Sequence, residues 1–385
     1  MVRVSLTVAL VAVALVAVWS LLSCRQDPEV RSNLVASGAD TTGFMRADGP
    51  RSFEFPADHG PHAGFQTEWW YYTGNLETSS GRSFGYQLTF FRRALTPPDE
   101  HADRPSDWAT NQVYMAHFAV TDVARDEHHA FERFSRGVAG LAGAQSPPYR
   151  VWLEDWHVER VGDDPAIVTM VAEEEGVGME LRLVDLKGPI LQGDQGYSQK
   201  GPDPGNASYY YSQTRLESQG NVHIAGTTFD VVGLSWMDHE FSTSALAPDQ
   251  VGWDWFALQF DDGSELMVFQ IRTTDGSVDR FSSGTLIQAD GAIQRLASDD
   301  FTIEVRDTWR SPRSGARYPS RWTVRVPGGD LALEIVPYIL DQELNVSYNY
   351  WEGAVRIEGE RAGQPTTGAG YVEMTGYAGS MQEQF

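Results

Sequence analysis

Along most of the chain apolar and polar residues alternate with period two. Phe84, Tyr86, Leu88 and Phe90 fall on one face of an extended segment, and Val113, Met115, His117 and Ala119 on one face of another. The spacing recurs at Val151, Leu153 and Asp155, at Met179, Leu181 and Leu183, and later at Leu266, Val268 and Gln270, at Phe301, Ile303 and Val305, and at Leu331, Leu333 and Ile335. Successive side chains of a pleated strand point to opposite faces, so this pattern predicts β-strands. Asp262-Gly263, Asp275-Gly276 and Asp290-Gly291 are turn signals between them. No amphipathic helical pattern runs beyond about ten residues, and short helices are expected only near residues 96–110 and 242–250. The fold class is therefore all-β.

One pattern occurs twice. Trp69-Trp70-Tyr71-Tyr72-Thr73-Gly74-Asn75-Leu76, a glycine turn and the apolar run Phe84 to Arg92 have a later counterpart. It consists of Trp253-Asp254-Trp255-Phe256-Ala257-Leu258-Gln259-Phe260, the turn Asp262-Gly263 and the run Leu266 to Arg272. Two related β-domains explain the repeat, expected over 51–218 and 222–385, each sized for a barrel or sandwich.

The N-terminus differs in kind. Val4 to Leu22 carries no charge and follows a basic start, and Leu21-Leu22-Ser23-Cys24 ends it. This reads as a signal peptide over 1–23, and the cysteine after a small residue resembles the bacterial lipobox, whose cysteine is lipidated. A retained single-pass anchor is the alternative. Residues 24–50 are small and polar and read as a tether. The expected location is the cell envelope, facing the periplasm or exterior. Arg25, where an aspartate would retain such a lipoprotein at the inner membrane, favours the outer membrane of a Gram-negative cell. Cys24 is the only cysteine, so no intramolecular disulfide forms. A net charge of -24, from 53 acidic against 29 basic residues, argues against nucleic acid and against a face lying on anionic lipid. The 12 Trp, 15 Tyr and 18 Phe require burial or a lined cavity.

The densest chemistry is Ser235-Trp236-Met237-Asp238-His239-Glu240-Phe241. On a strand, Asp238 and Glu240 share one face while His239 takes the other, and two carboxylates facing one cavity raise one pKa and keep one acid protonated. A histidine in a hydrogen-bond network near a domain seam is the alternative. A second group is Asp58-His59-Gly60-Pro61-His62 with Glu68 just before Trp69 and Trp70. Glu68 either pairs with a core arginine or faces a ligand. With no further cysteine and no His-Glu-x-x-His helix, neither a metal nor another cofactor is expected. His117 and Asp155 fit core hydrogen bonding better than catalysis. The glycines around Gly193 and Gly196 before Lys200 lack the spacing of a phosphate loop, and no Gly-x-Ser-x-Gly element marks a serine hydrolase.

His59-Gly60-Pro61-His62, Glu68-Trp69-Trp70-Tyr71, Gly85-Tyr86-Gln87-Leu88-Thr89-Phe90-Phe91-Arg92, Lys187-Gly188-Pro189 and Ser208-Tyr209-Tyr210-Tyr211-Ser212 stand in an order that resembles the AttH-like family, related to the carotenoid 1,2-hydratases. Ser235 to Glu240, Gly252 to Phe256, Tyr350-Trp351-Glu352-Gly353 and Gly370 to Tyr377 extend the resemblance over about residues 50–380. It implies two packed lipocalin-like β-barrels and an apolar ligand, lipid or isoprenoid, in an aromatic cavity. Ligand-binding residues would be Trp69, Trp70, Tyr71, His117, Trp236, Trp253, Trp255 and Tyr371. As a binder, the protein would be an accessory of an ABC exporter, anchored to the membrane through Cys24. As an enzyme, it would be a hydratase or hydrolase in which Asp238 or Glu240 donates a proton, Trp236, Trp253 or Tyr71 stabilises the carbocation, and His239 or Glu68 activates water. A polysaccharide-binding domain would instead place its tryptophans in an open groove.

Overall fold

The structure, a computed structural model, describes residues 41–100, 110–243 and 246–381. The signal peptide, Cys24 and most of the tether lie outside them. Residues 41–50 do not behave as free tether. Phe44 and Ala47 are buried, Ala47 against Phe65, Tyr209 and Phe241, and the Met45 amide donates to Gly64 O at 2.8 Å.

Thirteen strands form the first antiparallel sheet: β1 Thr67–Glu77, β2 Ser83–Ala94, β3 Gln112–Asp122, β4 Glu127–Arg136, β5 Ala142–Gln145, β6 Arg150–Leu153, β7 Trp156–Arg160, β8 Ile167–Glu174, β9 Val177–Asp185, β10 Pro189–Leu191, β11 Tyr197–Gln199, β12 Ala207–Ile224 and β13 Thr227–Ser242. Ten form the second: β14 Gln250–Phe260, β15 Glu265–Thr273, β16 Ser283–Ile287, β17 Ile293–Ala297, β18 Thr302–Arg310, β19 Arg317–Val326, β20 Leu331–Pro337, β21 Glu343–Asn345, β22 Asn349–Arg361 and β23 Gln364–Met374. Only 3-10 turns interrupt them among the described residues. One, Pro98–Glu100, lies in the first expected helical excursion, and residues 246–249 of the second are not helical.

The two sheets share a plan. The first runs β4-β3-β2-β1-β13-β12-β9-β8-β7-β6-β5 and the second β17-β16-β15-β14-β23-β22-β20-β19-β18. In each, the repeated aromatic hairpin lies at the centre and its first strand pairs with the last strand of its half. The internal repeat is therefore real in three dimensions, but its boundary differs from the one expected. β12 and β13 complete the first sheet, so the change of sheet falls at 243–249 and not at 218–222. The pattern of a hairpin cannot show that its second strand returns to pair with β1. The hydrogen-bonded paths are also open, ending at β4 and β5 and at β17 and β18, so among the described residues neither sheet is a closed lipocalin-type ring.

Central strands are buried on both faces, which is why β1 to β3 read as almost continuous apolar runs. Trp70, Tyr72, Leu88 and Phe118 fill the concave side of the first sheet. Tyr71, Tyr210 and Trp236 project the other way and pack against Trp255, Met267, Phe269 and Tyr371 of the second sheet. The sheets approach so closely that a Cβ on Gly85 would lie 2.6 Å from the Ala354 Cβ. This intersheet layer holds the candidate site.

Candidate functional site

The register around β13 sorts its side chains into two environments. Asp238 lies opposite Tyr71 on β1 and Ser212 on β12, and Glu240 lies opposite Trp69 and Tyr210. These face the second sheet. His239, one position on, lies opposite Trp70 and Tyr211 and faces the interior of the first sheet.

On the intersheet side is a cavity of about 130 Å³. Its apolar walls include Trp69, Tyr71, Phe91, Trp253, Trp255 and Phe269, and four carboxylates reach it: Asp238, Glu240, Glu352 and Glu373. Asp238 Oδ1 accepts from Ser212 Oγ at 2.5 Å and Trp236 Nε1 at 2.7 Å, and Oδ2 accepts from Tyr210 Oη at 2.7 Å. Burial pushes its pKa up to about 7, against those three donors and with help from Glu240. Glu352 and Glu373 stand directly opposite each other on β22 and β23. Like charges so placed are unfavourable. Burial, and for Glu352 the neighbouring Glu373, pushes both up, Glu373 to about 8, while Trp253 hydrogen-bonds Glu373 and pulls it back slightly. Among the described residues one cation reaches the cavity. Lys200 Nζ lies 3.5 Å from Glu240 Oε1 and 4.1 Å from the centroid of the Phe269 ring.

The opposite face holds charges that are paired. Glu68 is fully buried, yet its carboxylate receives Arg92 Nε at 2.8 Å, His239 Nε2 at 2.8 Å, His62 Nδ1 at 2.7 Å and the His62 amide at 2.9 Å. Burial pushes its carboxyl up, but Arg92 and the two imidazoles hold it well below the usual carboxylate range. Burial lowers the His62 pKa, but hydrogen bonds to Asp58 and Glu68 outweigh that and raise it. Burial lowers His239 and takes His59 down to about 4. His62, Glu68 and His239 converge as metal ligands would. Their ligating atoms already bond one another, and Arg92 occupies the carboxylate's other oxygen, so the donor set fits an ion-pair network and not a metal. This network clamps residues 51–66 onto the sheet; Tyr211 Oη bonds His59 Nδ1 at 2.7 Å and His239 Nδ1 at 3.0 Å.

Residues 46–377 match the AttH-like family over most of the chain. The chain belongs to the AttH-like family. An AttH protein of Nitrosomonas europaea, known from a crystal structure, is 35% identical with a TM-score of 0.76, the match covering 87% of this chain and 100% of that one. Kievitone hydratase from Nectria haematococca shares the fold at 14% identity and a TM-score of 0.64, covering 89% and 98%. CghA with Sch210972 does so at 12% and 0.51, covering 90% and 98%. No curated protein matches the chain.

In this AttH-like chain the four expected catalytic residues divide between the faces. Asp238 and Glu240 line the cavity, whereas His239 and Glu68 lie behind the sheet, which removes both as activators of water in that cavity. Of the expected ligand contacts, Trp69, Tyr71, Trp253 and Trp255 line it. Trp70 instead stacks on His239, with ring centroids 4.8 Å apart, and donates to His59 O at 3.0 Å. Trp236 packs behind Asp238 as its hydrogen-bond donor. Tyr371 is buried in the layer just beyond the lining. His117 bonds Tyr350 Oη at 2.6 Å and Glu132 Oε1 at 3.0 Å, and Phe91 and Tyr348 stand against its ring at the cavity wall. Asp155 is an exposed surface partner of Arg133, not a core group. Lys200, Glu352 and Glu373 were missed as functional candidates. A signal existed for the last two: the acids lie equally far from the Ala362-Gly363 turn, which sets them opposite each other.

Proposed function

We propose that the protein is a hydratase-like acid–base enzyme acting on an apolar substrate, such as an isoprenoid, held in a frame of two lipocalin-like halves. The observation that carries this is Asp238: a carboxyl buried in an aromatic cavity whose pKa is pushed up to about 7, so that a large share of it keeps its proton near neutral pH, without a cation bonded to it. Its proton belongs on Oδ2, because Oδ1 already accepts two donors. Asp238 gives that proton to one carbon of a double bond, whose π pair forms the new C–H bond. The carbocation left on the neighbouring carbon is stabilised by the ring faces of Trp69, Trp253 and Trp255. Water adds its oxygen to that carbon and loses a proton to the Glu240 carboxylate, the base on the same face. Proton return from Glu240 to Asp238 through solvent closes the cycle. The walls support an apolar ligand, and the fold shared with a hydratase supports hydration as the class.

The test is incubation of the protein with an apolar extract in water enriched in oxygen-18, followed by mass spectrometry. A product heavier by one labelled water, absent with Asp238→Asn, is expected. Turnover retained by a folded Asp238→Asn removes the assignment. A compound bound and returned unchanged makes the cavity that of a carrier, the role in which an ABC exporter is the candidate partner. For either role we propose a location in the cell envelope with anchoring through Cys24, a reading supported by the apolar run and the Ser23-Cys24 pair of the N-terminus.

A further inference from the structure

Two polar atoms at the cavity wall are poorly satisfied. Tyr71 Oη and Glu352 Oε2 are buried and neither meets a hydrogen-bond partner in good geometry; the Tyr71 hydroxyl's pull toward the Glu352 carboxyl lowers that group's pKa against burial. Both residues line the cavity, at 6% and 2% exposure. Their surroundings offer no compensation. Trp255 stands edge-on to Tyr71 with ring centroids 5.2 Å apart. Among the described residues no arginine or lysine pairs with Glu352 or with Glu373 opposite it. Tyr371 Oη, also buried and without a partner, lies near enough to Glu352 for their charges to interact. A buried polar group left unbonded costs about 1–3 kcal/mol, and native proteins keep few such groups without a reason.

Two acids directly opposite each other in an apolar layer cannot both be charged, and burial beside Glu373 keeps a proton on Glu352, which therefore presents an O–H. The Tyr71 hydroxyl is a second O–H at the same place. A phenol and a neutral carboxylic acid side by side are donors to one acceptor, an arrangement that recognises a carbonyl oxygen. We propose that Tyr71 and Glu352 form a two-donor subsite that takes a carbonyl oxygen, so that the cavity's ligand is an apolar ketone or enone and not a pure hydrocarbon. This deepens the hydratase-like reading. Holding the oxygen at Tyr71 and Glu352 decides which carbon of the substrate is offered to Asp238.

The experiment uses binding alone, so its outcome is separate from the fate of the acid–base assignment. Affinities of the full protein for 2-acetylnaphthalene and for its hydrocarbon isostere 2-isopropylnaphthalene are compared by titration calorimetry. The ketone is expected to bind about tenfold more tightly or better. Tyr71→Phe and Glu352→Leu each remove most of that preference, and Glu352→Gln, which keeps an N–H donor, retains part of it. Hydrocarbon binding that is not weakened in each variant reports an intact cavity. Equal affinities in the wild type, no ketone binding, or a preference that survives both Tyr71→Phe and Glu352→Leu overturns the subsite. Turnover lost with Asp238→Asn would still stand in that case.

Discussion

Asp238 and His239 are adjacent in the chain, and the sheet puts them in opposite electrostatic worlds. Behind β13, buried charge is neutralised by partners: Glu68 is held by Arg92, His62 and His239, and Asp58 by His62 and Arg51. In front of it, Asp238, Glu352 and Glu373 have hydrogen-bond donors or nothing, and burial neutralises them by protonation instead. The first solution makes a clamp, because removing either partner leaves an uncompensated charge. The second makes an acid, because the proton is available to whatever enters. Residue type does not distinguish the two; the presence of Arg92 on one side and its absence on the other does.

The largest effect that would break this contrast is on turnover. Asp238→Asn is expected to reduce it by about 10²–10⁴-fold while shifting the denaturation midpoint little, since the amide fills the same space; steady-state kinetics beside urea unfolding checks both. Behind the strand the prediction reverses. Arg92→Met should destabilise the fold by about 3–5 kcal/mol, because Glu68 is then a buried charge with its main counterion gone, and chemical denaturation measures it. An Arg92→Met protein of normal stability would mean that the network is not a clamp. A smaller effect is expected from Trp253→Leu, which removes a ring face and the donor to Glu373 and should weaken binding of apolar ligands by about 1 kcal/mol, read by calorimetry.

The pH dependence separates Asp238 from His59 and Asp58 by sign. Turnover requires protonated Asp238, so it should fall as pH rises through about 7, and the fall should vanish with Asp238→Asn. Stability responds oppositely to Asp238 and to the pair His59 and Asp58, while the raised His62 of the clamp follows the sign of Asp238. His59 is lowered from 6.5 to about 4, so the unfolded chain takes up its proton first and stability is lost as pH falls from 6.5 towards 4. Asp58, lowered from 3.8 to about 2, extends that loss below pH 3.8. Asp238 is raised, so the native state holds the proton between 3.8 and about 7, and its contribution declines as pH rises across that window. Asp238→Asn should therefore steepen the rise of stability with pH between 4 and 6.5; identical slopes would place Asp238 outside the titrating set. At the N-terminus, incorporation of labelled palmitate into the expressed protein and not into Cys24→Ser would establish the anchor.

Strand content, the duplicated hairpin and the separation of Asp238 from His239 were legible because each follows from period-two geometry within one segment. What faces a strand's partner sheet was not legible. Trp69 and Trp70 are equivalent in sequence, yet one lines the cavity and the other the sheet's own core, because both faces of β1 are buried and apolar. Glu68 and His239 looked catalytic for the same reason: a pattern shows that a charge is enclosed, not whether an arginine 24 residues away in the next strand arrives to meet it. The domain boundary failed on non-local pairing, since Thr67 meets Ser242 only after the whole first sheet has formed.

That pairing also orders events in time. Thr67 waits for Ser242 and Asp254 waits for Met374, so each half keeps the edge of its central strand open until its last strand docks. Asp238 and Glu240 ride on one of these closing strands and Glu373 on the other. A growing chain therefore builds an aromatic hollow first and receives Asp238, Glu240 and Glu373 last, so the acid cluster is complete only when both halves have closed.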